Sequence, residues 1–244
     1  MSAAATLATA QRVGRQLRRD RRTIAMVLVA PPGILALLDW VFTEQPATMA
    51  RVGPALVGLF PLITMFVVTS IAMLRERTAG TLERLMTLPL GRLDLLAGYA
   101  LAFAALATVQ ALVTATVAFG LLGIDVAGPV AGVVAIAVAN ALLGTAIGLF
   151  LSAFARSEFQ AVQFLPVVVF PQLLLIGLFL SRERLPGALH AVSNALPFTY
   201  AYEALERTAT DRIDARLWLD VGVTVGCIGL ALVLGASTLR RRTP

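Results

Sequence analysis

Six stretches of this chain, residues 23–42, 53–74, 95–122, 130–154, 161–180 and 217–239, are apolar almost without interruption. Each is about as long as a helix must be to cross roughly 30 Å of bilayer hydrocarbon at about 1.5 Å per residue. In lipid, backbone N–H and C=O groups have no water to turn to, so a continuous apolar run satisfies them within its own helix. The chain as a whole agrees: of its 244 residues 58% are hydrophobic and 14% charged, and the mean hydropathy is +0.84. A soluble domain carries about 25% charged residues. A chain this apolar has too little polar surface to face water, so the expected fold is all-α, a polytopic membrane protein with six transmembrane helices.

Arginine sets the expected orientation. With the N-terminus inside, segments 1–22, 75–94, 156–158 and the C-terminal end hold fourteen of the twenty basic residues, all of them Arg. The positive-inside bias then selects both termini in the cytoplasm. An odd number of spans would place the basic end outside, against that bias. The acids agree, with Asp20, Glu76, Glu83, Asp94 and Glu158 inside and the other nine outside or near the outer interface. The net charge of +6 therefore reads as orientation and contact with anionic headgroups. No nucleic-acid partner is expected, because the basic stretches lack interleaved aromatics.

Three segments follow from this division: a basic N-terminal interfacial helix over 1–22, one transmembrane domain over 23–239 and a basic cytoplasmic tail over 240–244. The first carries Arg12, Arg15, Arg18, Arg19, Arg21 and Arg22 with only Val13 and Leu17 as apolar points. That pattern fits either a weakly amphipathic helix on the membrane surface or a frayed basic tail. The first apolar run is long for a signal sequence and no A-x-A site follows it closely, so it reads as a retained anchor. Pro31, Pro32 and Gly33 are expected to kink it.

Little in the sequence points to catalysis. His190 is the single histidine and Cys227 the single cysteine, so neither a disulfide within the chain nor a cysteine metal cluster is available. No H-E-x-x-H or G-x-S-x-G occurs, and a phosphate-binding G-x-x-x-x-G-K-[ST] loop needs a lysine that the chain lacks. Gln110, Thr114, Thr116, Asn140, Thr145, Gln160, Gln163 and Gln172 lie in spans and are assigned first to helix packing, as are Gly144 and Gly148, spaced G-x-x-x-G. The near absence of mid-membrane charge argues against a proton relay or ion-selective pore.

The most informative stretch is Glu76-Arg77-Thr78-Ala79-Gly80-Thr81-Leu82-Glu83-Arg84-Leu85-Met86-Thr87-Leu88-Pro89, which leaves the second span on the arginine-rich side. Leu82, Leu85, Met86 and Pro89 fall at i, i+3, i+4 and i+7, one short apolar stripe with charges beside it. It reads as a solvated loop helix or as a knob whose stripe enters a groove of a cytoplasmic partner.

This stretch, E-R-x-x-G-T-L-E-x-L-x-x-x-P, resembles the signature of ABC-2-type permeases, the membrane subunits of ATP-binding-cassette exporters, including the daunorubicin-resistance type. A second segment, Leu196-Pro197-Phe198-Thr199-Tyr200-Ala201-Tyr202-Glu203-Ala204-Leu205-Glu206-Arg207, is similar to the family's P-[LF]-T-Y…A-L-R segment, with Glu206 interrupting the usual L-R pair. The resemblance implies that Glu76, Arg77, Gly80, Thr81, Leu82, Glu83, Leu85, Met86 and Pro89 form a coupling helix that docks on a soluble ATPase subunit. Two copies of that subunit would bind the ATP and Mg, this chain holding no cofactor of its own, and a second permease chain, identical or related, would complete the pathway.

In such permeases the second and fifth spans line the path, which nominates Phe60, Thr64, Phe66, Thr69, Phe164, Phe170 and Gln172, against plain helix packing for each. An apolar path dotted with aromatics suits a hydrophobic or amphipathic substrate, drug-like or lipid-like, moved outward across the cell membrane. Segment 181–216 mixes polar and apolar residues, and its 185–196 part is too short to span. It is expected either to form a re-entrant helical hairpin on the outer side, with Pro197, Phe198, Thr199 and Tyr200 at its bend, or to be a plain extracellular loop. The alternatives to a drug or lipid exporter are a permease for a lipid-linked or glycan substrate and a non-transporting membrane anchor or assembly factor.

Overall fold

The computed structural model describes residues 2–87 and 91–238, the side chains of Glu83 and Met86 excepted. Eleven α-helices occur among the described residues: α1 (Ala3–Arg19), α2 (Arg21–Val41), α3 (Pro46–Thr78), α4 (Thr81–Met86), α5 (Arg92–Ala115), α6 (Val130–Leu151), α7 (Glu158–Phe164), α8 (Phe170–Leu175), α9 (Gly187–Ala195), α10 (Pro197–Ala209) and α11 (Ala215–Ser237). Side-chain oxygens of Ser2, Asp20, Ser157 and Asp214 open four of them by accepting a backbone N–H of the first turn. Asp20 is both the last residue of one helix and the cap of the next, so α1 and α2 meet at a one-residue elbow.

Six helical segments are long and apolar enough to cross a membrane: α2, α3, α5 continued by a π-helical turn to Leu121, α6, α7–α8 and α11. The six apolar runs of the sequence are their centres, and the ends differ for physical reasons. α3 has 33 residues, about 50 Å of helix against about 30 Å of hydrocarbon. It starts at Pro46, where the missing N–H is one that no helix residue would use. At the other end it runs on until Gly80, whose φ of 69° leaves the helical region.

The fifth span is the reverse case. It ends at Leu175 rather than at 180, because Gly177 takes a φ of 105°. Pro166 and Pro171 remove two ladder donors inside it, and a π turn over Leu165–Val169 joins its halves.

α3 and α6 form the central pair. Gly144 and Gly148 lie directly against the backbone of Leu62 and Phe66, so the two helices touch main chain to main chain. α10 wedges between α3, α6 and α11, with Phe198, Thr199, Ala201, Leu205 and Thr208 buried. Asn140 of α6 donates to the Ala201 carbonyl at 3.1 Å. α1 lies along α5, burying Thr9 and Val13. The basic N-terminal segment is thus a docked helix.

A Cβ on Gly98 would sit 2.5 Å from that of Thr9 and 2.8 Å from the Thr6 carbonyl oxygen. Gly98→Leu is therefore expected to lift α1 off α5. Trypsin should then cut at Arg12 and Arg15 several-fold faster than in the native chain, while the rest of the bundle keeps its protection.

The connections sort to two ends. At one end Arg12 meets Glu76, Arg75 meets Glu158, Arg77 bonds Thr238, and the Ser2 N–H donates to Asp94. At the other, the Gly128 N–H donates to the Ala209 carbonyl, and Asp125, Arg51 and Tyr202 border one cavity. Both ends of the described chain therefore lie together, as an even number of crossings requires. The arginines of α1, of the α3 tip and of α4 gather there. The expected tail 240–244 falls outside the described residues.

Candidate functional site

The stretch singled out in the sequence is two elements rather than one helix. Glu76 and Arg77 belong to the last turn of α3, and α4 starts afresh after the turn at Ala79 and Gly80. Glu76 is 5% exposed, faces Arg12 at 3.5 Å, and lies beside Tyr99, whose hydroxyl also receives a hydrogen bond from Arg12. The Arg12 guanidinium stacks 5.6 Å above the Tyr99 ring.

Leu82 is 3% exposed and packs with Val13, Met73, Leu95, Leu96 and Tyr99, and Leu85 packs on the same cluster. Of the stripe expected to enter a partner's groove, Leu82 and Leu85 seat on the chain's own core. The physical reason is local: six residues of helix set Leu82 over the α1–α5 seam, where burying a leucine is worth about 1.5–3 kcal/mol. What the segment turns outward is polar, with Thr78, Arg84 and Thr87 exposed. Thr81 is half-buried. Pro89 and the side chains of Glu83 and Met86 lie outside the described residues.

Three consecutive residues tie the α3 tip to three different helices. Arg75 grips Glu158 of α7 through Nε at 2.7 Å and Nη2 at 2.9 Å. Glu76 pairs with Arg12 of α1, and Arg77 donates to Thr238 after α11 at 3.3 Å. The sequence showed these charges as members of a motif; it gave no sign that they radiate to separate helices. α4 hangs from the α3 tip by one glycine turn, and that tip is bonded to three other helices.

The nominated pathway residues divide. Phe66 and Thr69 are fully buried against α6, Thr69 donating to the Met65 carbonyl at 2.6 Å and lying 3.3 Å from that of Thr145. Gln172 is 7% exposed and returns its amide to the Val168 carbonyl at 3.0 Å. These three pack within the chain. Phe60, Thr64 and Phe164 are half-buried, and Phe170 is 48% exposed on a face with Phe159, Val162, Val167 and Leu174. That outward face leaves the fifth span the least covered of the six.

In segment 181–216 two helices, α9 and α10, meet end to end at Leu196; Ser193 is the one buried residue of α9, while α10 is buried along one side. Pro197 opens α10, Phe198 and Thr199 are fully buried, Thr199 donates to the Ser193 carbonyl at 2.7 Å, and the Tyr200 hydroxyl donates to that of Asn194 at 2.7 Å. An ion-pair chain secures it. Arg182 pairs with Glu203, which Arg216 also approaches at 3.5 Å. Arg216 and Arg207 hold the fully buried Asp220 at 3.2 and 3.4 Å, and Arg207 holds Asp214 at 2.9 Å.

The backbone N–H of Leu217 keeps the Asp214 carboxyl below its usual range, while burial lowers the Arg182 guanidinium. Beside this chain lies a polar cavity of about 200 Å³ bordered by Arg51, Arg182, His190, Glu203 and Glu206. Sequence reasoning placed Asp220 near a membrane interface and missed its burial. The available signal was the Arg216 and Asp220 pair, four apart on one helix face.

Six apolar crossings and paired ends define a multi-pass helical membrane protein. The sequence profile of the ABC-2 type transporter family matches residues 4–208, and the chain belongs to that family. Among curated proteins it is 29% identical over 152 residues to "ABC transporter G family member 20" of Dictyostelium discoideum, covering 62% of this chain and 21% of that one. It is 30% identical over 133 residues to "Probable multidrug ABC transporter permease YbhR" of Escherichia coli (strain K12), covering 54% and 36%. With YbhS of the same organism, which carries the same descriptive name, it is 25% identical over 165 residues, covering 66% and 44%. The chain thus spans less than half the length of each of these relatives.

Proposed function

We propose that this chain is the membrane-spanning permease of an ATP-binding-cassette exporter. It moves a hydrophobic or amphipathic molecule outward, driven by ATP hydrolysis in two copies of a separate soluble ATPase subunit that bind the ATP and Mg. A second permease chain, identical or related, completes the path. The protein sits in the cell (plasma or inner) membrane with both termini in the cytoplasm, which puts α1, α4 and the α3 tip on the ATPase side. The observation that carries this reading is the family match over 205 of 244 residues, joined to a helix hung by one turn from the α3 tip at the arginine-rich end. The descriptive name of YbhR and YbhS favours a drug-like over a lipid-like substrate.

Because Leu82 and Leu85 are turned inward, docking falls to the exposed polar residues Thr78 at the α3 tip and Arg84 and Thr87 at α4. Phe60, Thr64, Phe164 and Phe170 remain as the residues that face the path or the second chain.

Arg84→Glu tests the docking. In vesicles holding the full complex, ATP-driven substrate movement is expected to fall at least ten-fold and ATPase co-purification to drop in parallel, with Arg184→Glu in segment 181–216 unaffected in co-purification. Full transport and full co-purification with Arg84→Glu would remove α4 from the coupling role. Assembly with no ATP-dependent movement of any amphiphile would favour the reading as a membrane anchor.

A further inference from the structure

A cavity of about 160 Å³ lies where α1, α2, α3 and α5 converge, beneath the α1–α2 elbow. Its depth is apolar, from Val13, Leu17, Val68 and Ile71, and its rim carries Asp20 and Arg75. On α3 the stripe that lines it continues away from the elbow through Thr64 and Phe60, each one helical step of four farther on. Polar rim, apolar depth and an apolar track leading into the bundle form an amphiphile's profile. Clefts that enclose a drug-sized molecule run to about 300–1,000 Å³, so this one takes only part of its ligand.

Charge at the rim selects the part. Arg75 is engaged by Glu158, and Glu76, which also borders the cavity, is engaged by Arg12. Asp20 has no ion-pair partner among the described residues. Its carboxylate accepts the Thr23 N–H at 3.1 Å and the Thr23 hydroxyl at 2.7 Å. Those two bonds keep it below the usual carboxylate range, and Arg75 and Arg22 are the guanidinium groups whose charge acts on it. A lone cation would meet the arginines of the elbow, and a lone anion would meet Asp20. A zwitterion satisfies both.

We propose that this cavity is a binding site for the head region of one aminophospholipid, its primary ammonium on Asp20, its phosphate toward Arg22 and the Nη1 of Arg75 that the bonds to Glu158 do not use, and its acyl chains leaving between α2 and α3. Seated there, the lipid braces the elbow against the α3 tip. The cavity is separate from the outward face of the fifth span; the track beyond it shares Thr64 and Phe60 with the proposed path, while the cavity's own lining does not.

The test uses the full chain in nanodiscs of mixed phosphatidylethanolamine, phosphatidylcholine and phosphatidylglycerol, with retained lipid counted by native mass spectrometry after transfer to detergent. The native chain is expected to keep one phosphatidylethanolamine, several-fold enriched over its share of the mixture. Asp20→Asn keeps the helix cap, since Asn caps as well as Asp, and is expected to abolish that enrichment. Asp20→Glu is expected to retain it, and Val68→Trp, which fills the depth, to abolish retention of any lipid.

Retained lipid that mirrors the bulk mixture in the native chain overturns the proposal, whatever the variants do. So does enrichment of phosphatidylglycerol, which would assign the elbow to its arginines alone, or enrichment of phosphatidylethanolamine that survives either Asp20→Asn or Val68→Trp.

Discussion

Replacing Gly144 with leucine is expected to unfold or aggregate the purified chain in mild detergent at temperatures where the native chain stays intact. A bare Cβ at this position would lie 2.0 Å from the Leu62 carbonyl oxygen and 2.8 Å from its carbon. Those are backbone atoms of a long helix and cannot step aside, so α3 and α6 must part. One turn on, a Cβ at Gly148 would stand 2.5 Å from the Phe66 carbonyl oxygen. Parting the helices also breaks what crosses the seam, where the Thr69 hydroxyl reaches the Thr145 carbonyl at 3.3 Å and that of Ser70 the Gly148 carbonyl at 3.2 Å.

Overpacking costs about 1–3 kcal/mol and each interhelical hydrogen bond in a membrane about 0.6 kcal/mol. The sum is about 3 kcal/mol or more, enough to exhaust much of a marginal stability. Ala135→Leu, on an exposed face of the same helix, serves as the control and should leave thermal unfolding unchanged.

The second large effect belongs to the ion-pair chain. Arg207→Leu leaves the fully buried Asp220 with only Arg216, whose side chain is 44% exposed. Removing one partner of a buried pair costs about 3–5 kcal/mol, because the other charge is left uncompensated. The lower end, about 3 kcal/mol, applies here since Arg207 is 24% exposed. Asp220→Leu added to Arg207→Leu removes the orphaned charge and is expected to recover a large part of that loss. Thermal unfolding of the four forms of the double-mutant cycle reads the coupling. Additive losses would show that the pair does not hold α10 to α11.

Reading the sequence reached the six crossings, the paired termini and the glycine seam, because each of these rests on a local signal: an apolar run, an arginine count, a G-x-x-x-G. It went astray wherever a side chain's partner lies far along the chain. Spacing within 76–89 suits both a solvated loop helix and a knob for a partner, and it cannot reveal the seam that buries Leu82 and Leu85, because α1 and α5 build it. Glu76 looked like a docking charge until Arg12, 64 positions earlier, turned out to hold it. Thr69 and Phe66 were nominated from the resemblance by span alone, and their helix face was fixed by the glycines of α6. Asp220 is fully buried with Arg207 of α10 reaching it from another helix, a partner that the spacing within α11 does not show.

The coupling role of α4 is tested most directly by photo-crosslinking. A benzophenone side chain is placed at position 84, and separately at position 211 on the opposite end, in membranes that hold the native complex. Adducts are then identified by mass spectrometry. Position 84 should yield an adduct with a nucleotide-binding subunit, its yield changing when ATP is added, and position 211 should yield none. An adduct of that subunit at 211, or its absence at 84 in a complex that still transports, would contradict the account.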